Sequence, residues 1–114
     1  WGTGAARREF LHVDDLAEAV VFLLEHYARP DLVNVGTGED VSIRELSSIV
    51  AEMVDYEGTI SWDPMRPDGM PRKLLDVSKI RALGWHHRVE LRDGIREVIA
   101  DYNERHAETA QSGP

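Results

Sequence analysis

Cysteine is missing from all 114 residues of the chain, and with it go disulfides, thiolate metal sites and cysteine nucleophiles. No run of about 18 apolar residues occurs and no signal-peptide pattern opens the chain, so the expectation is a cytoplasmic protein without membrane contact. Positive charge is also scarce. Against 13 Lys and Arg stand 21 Asp and Glu, a formal net charge of −8, which argues against the basic face by which nucleic-acid binders meet a polyanion. A single nucleotide is a different matter, because Arg7, Arg8, Arg66, Arg72 and Lys73 lie in loops otherwise rich in Gly and Pro, where a small anion can be met locally. Histidine makes no metal pattern: His86 and His87 are adjacent and cannot share a helical face, and no His-Glu-x-x-His occurs.

What is present is most informative in the stretch Pro67-Asp68-Gly69-Met70-Pro71-Arg72-Lys73-Leu74-Leu75-Asp76. Pro67, Gly69 and Pro71 stiffen a loop carrying the adjacent cations Arg72 and Lys73, so little conformational entropy is left to lose when an anion arrives. The same pattern also reads as a plain turn before a helix. Near the start, Gly2 and Gly4 let the backbone approach a ligand, and the planar guanidinium of Arg8 can meet two phosphate oxygens at once. The competing reading pairs Arg8 with Glu9 or Asp14 on the surface. Asp68 offers acceptors to hydroxyl or base N–H groups, or serves as an ordinary turn aspartate. Gly36-Thr37-Gly38 stands between a strand candidate and a helix candidate, as a dinucleotide fingerprint would. Val41 occupies the place of its third glycine, however, and no acidic residue ends a following strand at the required distance, so a tight structural turn is expected.

The expected architecture is a small mixed α/β fragment. A helix over residues 15–27, capped by Asp14 or Asp15, carries Ala17, Ala19, Val20, Val21, Phe22, Leu23 and Leu24 around most of its circumference, and such a helix wants burial on most sides. The other segments cover about one face of it. The chain is therefore expected to be a piece of a larger protein, an expectation that suits its opening on Trp1 within a Gly-x-Gly turn. A strand follows at 32–35, then a helix with a Ser42/Glu45 capping box and an apolar stripe of Ile43, Leu46, Val50, Met53 and Val54. Residues 59–62 read as a strand and 72–75 as extended, Asp76 caps a short helix that Gly84 ends in a left-handed conformation, and a last helix covers 91–106. Residues 108–114, small and polar, are expected to be a flexible tail.

Three blocks occur in order: Trp1-Gly2-Thr3-Gly4-Ala5-Ala6-Arg7-Arg8-Glu9-Phe10-Leu11-His12-Val13-Asp14-Asp15-Leu16, Val33-Asn34-Val35-Gly36-Thr37-Gly38-Glu39-Asp40-Val41-Ser42-Ile43-Arg44-Glu45-Leu46, and Leu83-Gly84-Trp85. Over residues 1–106 they resemble the C-terminal third of the GDP-L-fucose synthases, a branch of the extended short-chain dehydrogenase/reductases. The first two blocks are similar to the nucleotide-sugar enzymes at large, whereas Pro67 to Asp76 is similar to the fucose synthase branch in particular. The resemblance implies that residues 1–107 form the substrate-binding segment of an NADP-dependent enzyme whose N-terminal Rossmann domain, absent from this chain, holds most of the cofactor. It implies a reaction on GDP-4-keto-6-deoxy-D-mannose, epimerisation at C3 and C5 followed by hydride transfer from NADPH to C4, in a homodimeric parent.

Residue by residue, the resemblance implies that Arg8 contacts the nucleotide-sugar, that Trp1 lies along the sugar or diphosphate, and that Arg66 stands where some relatives place a phosphate-binding arginine. With Asp68, Arg72 and Lys73 these are the candidate substrate-binding residues. The family's catalytic Ser, Tyr, Lys, Cys and His are expected upstream. No Tyr-x-x-x-Lys exists here, since the residues four places after Tyr27, Tyr56 and Tyr102 are Asp31, Ile60 and His106. The segment alone is accordingly expected to be inactive, with no catalytic, cofactor-binding or metal residue of its own. One departure is at Ala6 and Arg7, where relatives often carry proline just before the arginine pair. Two alternatives stand beside this reading: a UDP-sugar 4-epimerase or GDP-mannose 4,6-dehydratase, which would share the Arg8 block but differ around 67–73, and a non-catalytic nucleotide-sugar binding module.

Overall fold

Arg7–Arg8 (β1) is the central strand of a small sheet, with Val41–Ser42 (β2) antiparallel on one side and Arg72–Lys73 (β3) parallel on the other. The computed structural model describes residues 1–111, with side chains through residue 107. Register places Arg7 opposite Ser42 and Arg72, and Arg8 opposite Val41 and Lys73. Backbone bonds beyond the ladder extend the sheet at its ends: Arg7 N–H donates to Pro71 C=O at 2.8 Å and Ile43 N–H to Ala6 C=O at 3.0 Å. Four helices complete the described residues, Val13–His26 (α1), Ile43–Met53 (α2), Ser78–Leu83 (α3) and Leu91–Gln111 (α4).

The start of α1 differs from expectation. Its cap is His12, whose Nδ1 accepts the Asp14 N–H at 3.3 Å, and both aspartates lie inside the first turn. Asp15 is buried because its carboxylate turns inward to accept the N–H groups of Arg88 at 3.1 Å and Val89 at 2.9 Å, pinning the segment before α4 onto α1. A carboxylate holding two distant backbone donors cannot also cap its own helix. The strands expected at 32–35 and 59–62 are not formed. Alternation predisposes a segment to extended backbone, but a strand needs a neighbouring edge, and among the described residues none pairs with either.

Other local readings hold. Ser42 and Glu45 make the reciprocal capping box at α2, with the Glu45 N–H to Ser42 Oγ distance 3.1 Å and the Ser42 N–H to Glu45 Oε2 distance 2.9 Å. Gly84 ends α3 at φ 106°, a region closed to most side chains. The start of α3 differs: its N-cap is Val77, without a side-chain cap bond, and Asp76 accepts the Ser78 N–H at 2.9 Å from one residue further back. The final helix continues past residue 106 to Gln111, into the stretch expected as tail, and residues 112–114 lie outside the described residues.

The core is formed by Ala19 of α1, Val77 before α3, Ile80 of α3 and Trp85 after it, with Leu11, Phe22, Leu23, Val33 and Val35 packed around them. Away from that cluster the molecule is a thin plate of 48 × 44 × 22 Å. Its radius of gyration of 17.8 Å exceeds the roughly 13 Å expected of a compact chain this long. Val13, Val20, Val21 and Leu24 of α1 face outward, so a helix apolar on most sides is buried on one. No helix among the described residues is long and apolar enough to cross a membrane.

Candidate functional site

Successive strand residues project to opposite faces, so the arginine pair of β1 is divided between two environments. On the Arg7 face, Asp40 accepts Arg7 Nε at 2.8 Å and also Arg72 Nε, while its backbone carbonyl takes a further Arg7 N–H at 3.0 Å. Glu45 adds a longer contact of 3.7 Å to Arg7. Two guanidiniums are thus matched by two carboxylates. On the other face, Arg8 donates to the Arg7 carbonyl at 2.7 Å and neighbours Lys73 across the parallel pair. Among the described residues no carboxylate forms an ion pair with either cation.

Arg8 and Lys73 line a cleft of about 510 Å³ with Glu9, Met70, Arg72, Leu74 and Leu75. The carboxylate of Glu9 is already engaged, accepting the Gly38 N–H at 2.6 Å, the Leu75 N–H at 3.1 Å and the Thr37 hydroxyl at 3.3 Å. Surface pairing of Arg8 with Glu9 or Asp14 is therefore not the arrangement found; Asp14 lies beside His12 instead. The same bonds explain Gly36-Thr37-Gly38. The anion held by this turn is Glu9, and a Cβ on Gly36 would stand 2.5 Å from Glu9 Oε1. The turn is a poor fit for a cofactor pyrophosphate, because an internal carboxylate already occupies the Gly38 N–H and the Thr37 hydroxyl.

The remaining candidates are dispersed. Asp68 closes the Gly-rich start onto the 67–71 loop by accepting both the backbone N–H and the hydroxyl of Thr3, each at 2.7 Å. Arg44 lies over the Trp62 ring at 4.7 Å and donates to the Thr3 carbonyl. Gly4, at φ 75°, makes room for that indole, since a Cβ there would stand 2.5 Å from it. Trp1 is 81% exposed and stacks with Arg66, whose guanidinium is 5.0 Å from the ring centroid, and neither lines the cleft. Arg72 does line it, but its Nε is tied to Asp40. The structure thus brings Arg8 and Lys73 together, attaches Arg72 beneath them, and uses Asp68 as a clasp.

Sequence reasoning passed over Asp40, and no local spacing marks it, because its partners lie 33 and 32 residues away. Histidine made no metal pattern in the sequence, and the contacts of His12 with carboxylates were not foreseen either. The fold sets His12 Nε2 3.5 Å from the distant Glu97 and His12 Nδ1 4.0 Å from its near neighbour Asp14, with Nδ1 serving as the α1 cap.

Several carboxylates titrate below their usual range. Hydrogen bonds from Arg72 and then Arg7 lower Asp40, the Thr3 hydroxyl and N–H lower Asp68, and the Lys79 ammonium lowers Asp31 to about 2. Glu45 and Asp76 are lowered by N–H and hydroxyl groups of Ser42 and Ser78. Each folded pKa lies below the unfolded one, so each group stabilises the fold above its ordinary pKa of about 4 and loses that contribution as pH falls through the folded value. The melting temperature should therefore hold between pH 7 and 5, then decline below about pH 4 toward pH 2. Thermal scans across that range check this, and a melting temperature that rises on acidification would contradict the assignments.

The fold matches part of the fold of solved sugar-nucleotide reductases and epimerases. Residues 1–36 match the NAD dependent epimerase/dehydratase family. The chain is 56% identical over 102 residues to GDP-L-fucose synthase 1 of Arabidopsis thaliana, covering 90% of this chain and 32% of that protein. It superposes on a GDP-6-OMe-4-keto-L-xylo-heptose reductase from Campylobacter jejuni with a TM-score of 0.84 at 37% identity, over 92% of this chain and 33% of that one. A GDP-mannoheptose C4 reductase from the same organism, solved with NADP bound, gives a TM-score of 0.80 at 39% identity, over 90% and 33% of the two chains. The chain is a homologue of GDP-L-fucose synthases and spans about a third of the length of the curated relatives it matches.

Proposed function

We propose that this chain is the nucleotide-sugar-binding part of a GDP-L-fucose synthase, its C-terminal third, in which Arg8 and Lys73 hold the diphosphate of a GDP-sugar. The observation that carries the reading is the pair of cations on neighbouring strands, without a carboxylate partner among the described residues, above a cleft of ligand size. At about 4 Å and an effective dielectric of about 20, each unit charge facing a phosphate contributes roughly 4 kcal/mol before desolvation. Two such charges match a diphosphate. Arg8 supplies a planar fork and Lys73 a compact point charge, while Met70, Leu74 and Leu75 give the cleft apolar walls for a ring.

For the whole protein the proposal is 3,5-epimerisation and NADPH-dependent 4-reduction of GDP-4-keto-6-deoxy-D-mannose. This chain contributes positioning of the sugar nucleotide. The acid–base groups and the cofactor site belong, on this reading, to the portion of the relatives that the chain does not span, and the outward apolar face of α1 packs against that portion. Titrating the full-length protein with GDP, UDP and ADP tests the reading. GDP is expected to bind at least about tenfold more tightly than the other two, and equal or tighter binding of UDP would transfer the chain to the UDP-sugar epimerases.

A further inference from the structure

Strand β3 is held to the sheet by little backbone. It comprises Arg72 and Lys73 alone, and it follows a loop in which Pro67 and Pro71 have no N–H to donate. Pro71 contributes only its carbonyl, which accepts the Arg7 N–H at 2.8 Å. What reinforces this joint lies beneath the sheet: the Asp40 carboxylate, 4% exposed, receives Arg7 from β1 on one oxygen and Arg72 from β3 on the other. A carboxylate so far from water persists only where cations and donors meet it.

We infer that Asp40 is a positioning residue for the cleft, holding Lys73 beside Arg8 by bridging Arg72 to Arg7 on the opposite face of the sheet. The inference rests on the diphosphate reading of that cleft. Because side chains alternate, a tie between residues 7 and 72 below fixes the separation of residues 8 and 73 above. Without the bridge, β3 is free to drift from β1, and two cations at variable spacing lose their match to two phosphates. The charge of Asp40 acts through this bridge and not on the ligand, since a negative group near an anion site by itself opposes binding.

That opposition gives the test a sign. In the full-length protein, Asp40→Asn should bind GDP about tenfold more weakly in a titration below its melting temperature, although it has lost a negative charge that by itself would tighten binding. The KM for the keto-sugar nucleotide should rise by a similar factor while kcat holds within about twofold, and NADPH affinity should not move. Unchanged or tighter GDP binding by folded Asp40→Asn overturns the inference. Arg72→Lys decides the matter if Asp40→Asn does not fold: it keeps the charge and loses the Nε bond, so weaker GDP binding supports the bridge and wild-type affinity overturns it. Arg8→Ala separates the two levels. If it leaves GDP binding intact, the diphosphate reading itself fails; if it weakens binding while Asp40→Asn does not, only the bridge fails.

Discussion

Replacing Arg8 with alanine in the full-length protein should weaken GDP-sugar binding about ten- to hundredfold, the loss of a charged contact worth about 1.5 to 3 kcal/mol. The expectation follows from what surrounds the guanidinium. Its one protein acceptor among the described residues is the Arg7 carbonyl, and the carboxylate nearest in sequence, Glu9, is taken up by Gly38, Leu75 and Thr37. Most of its donors are therefore free to meet a ligand, and truncation does not strand an ion-pair partner. Arg8→Lys should recover part of the affinity, because a point charge attracts the diphosphate but cannot reproduce the planar fork. NADPH binding should change little, since the Gly36–Gly38 turn closes on Glu9 and offers the cofactor no phosphate cradle. Parallel titrations of both ligands decide the point. GDP-sugar affinity that holds while NADPH affinity falls would place Arg8 in the cofactor site.

The largest effect on stability is expected at Ile80, where substitution by alanine should cost about 2 to 5 kcal/mol. Ile80 has no exposed surface and sits among Ala19, Val77 and Trp85, a core with few other members. In so thin a molecule the neighbours have limited means to collapse into the vacated volume, and a typical domain has only about 5 to 15 kcal/mol in total. The position also matters for the cleft, because α3 follows β3 closely and its carbonyl at Ile80 accepts the Trp85 N–H at 3.2 Å. Urea unfolding of wild type and Ile80→Ala measures the loss, with the half-exposed Val54→Ala as a peripheral control expected to change stability by less than about 1 kcal/mol. An Ile80→Ala loss as small as the control's would mean that this cluster is not the core.

Several features were legible from sequence because both partners lie within a few residues of each other. Ser42 and Glu45 cap α2 as their three-residue spacing dictates, and Gly84 takes the left-handed conformation that ends α3. The blocks around Arg8 and Asn34 also pointed to the nucleotide-sugar enzymes, and 56% identity to a plant relative agrees.

Only the tertiary structure decided what the polar side chains do. Asp14 or Asp15 was the expected cap of α1, yet His12 caps it and Asp15 holds the N–H groups of Arg88 and Val89, 73 and 74 residues away. Asp68, a candidate acceptor for the ligand or a turn aspartate by sequence, accepts from Thr3, 65 residues back, while Arg72 joins Arg7 on Asp40. Residues 32–35 and 59–62 have strand-like patterns and no strand partner among the described residues. The physical reason is common to all of these. Caps and turns are satisfied by atoms that covalent geometry already places nearby, so composition and spacing determine them; an ion pair, a buried acceptor or a strand edge depends on which distant segment the fold brings within about 3 Å, and no local period encodes that.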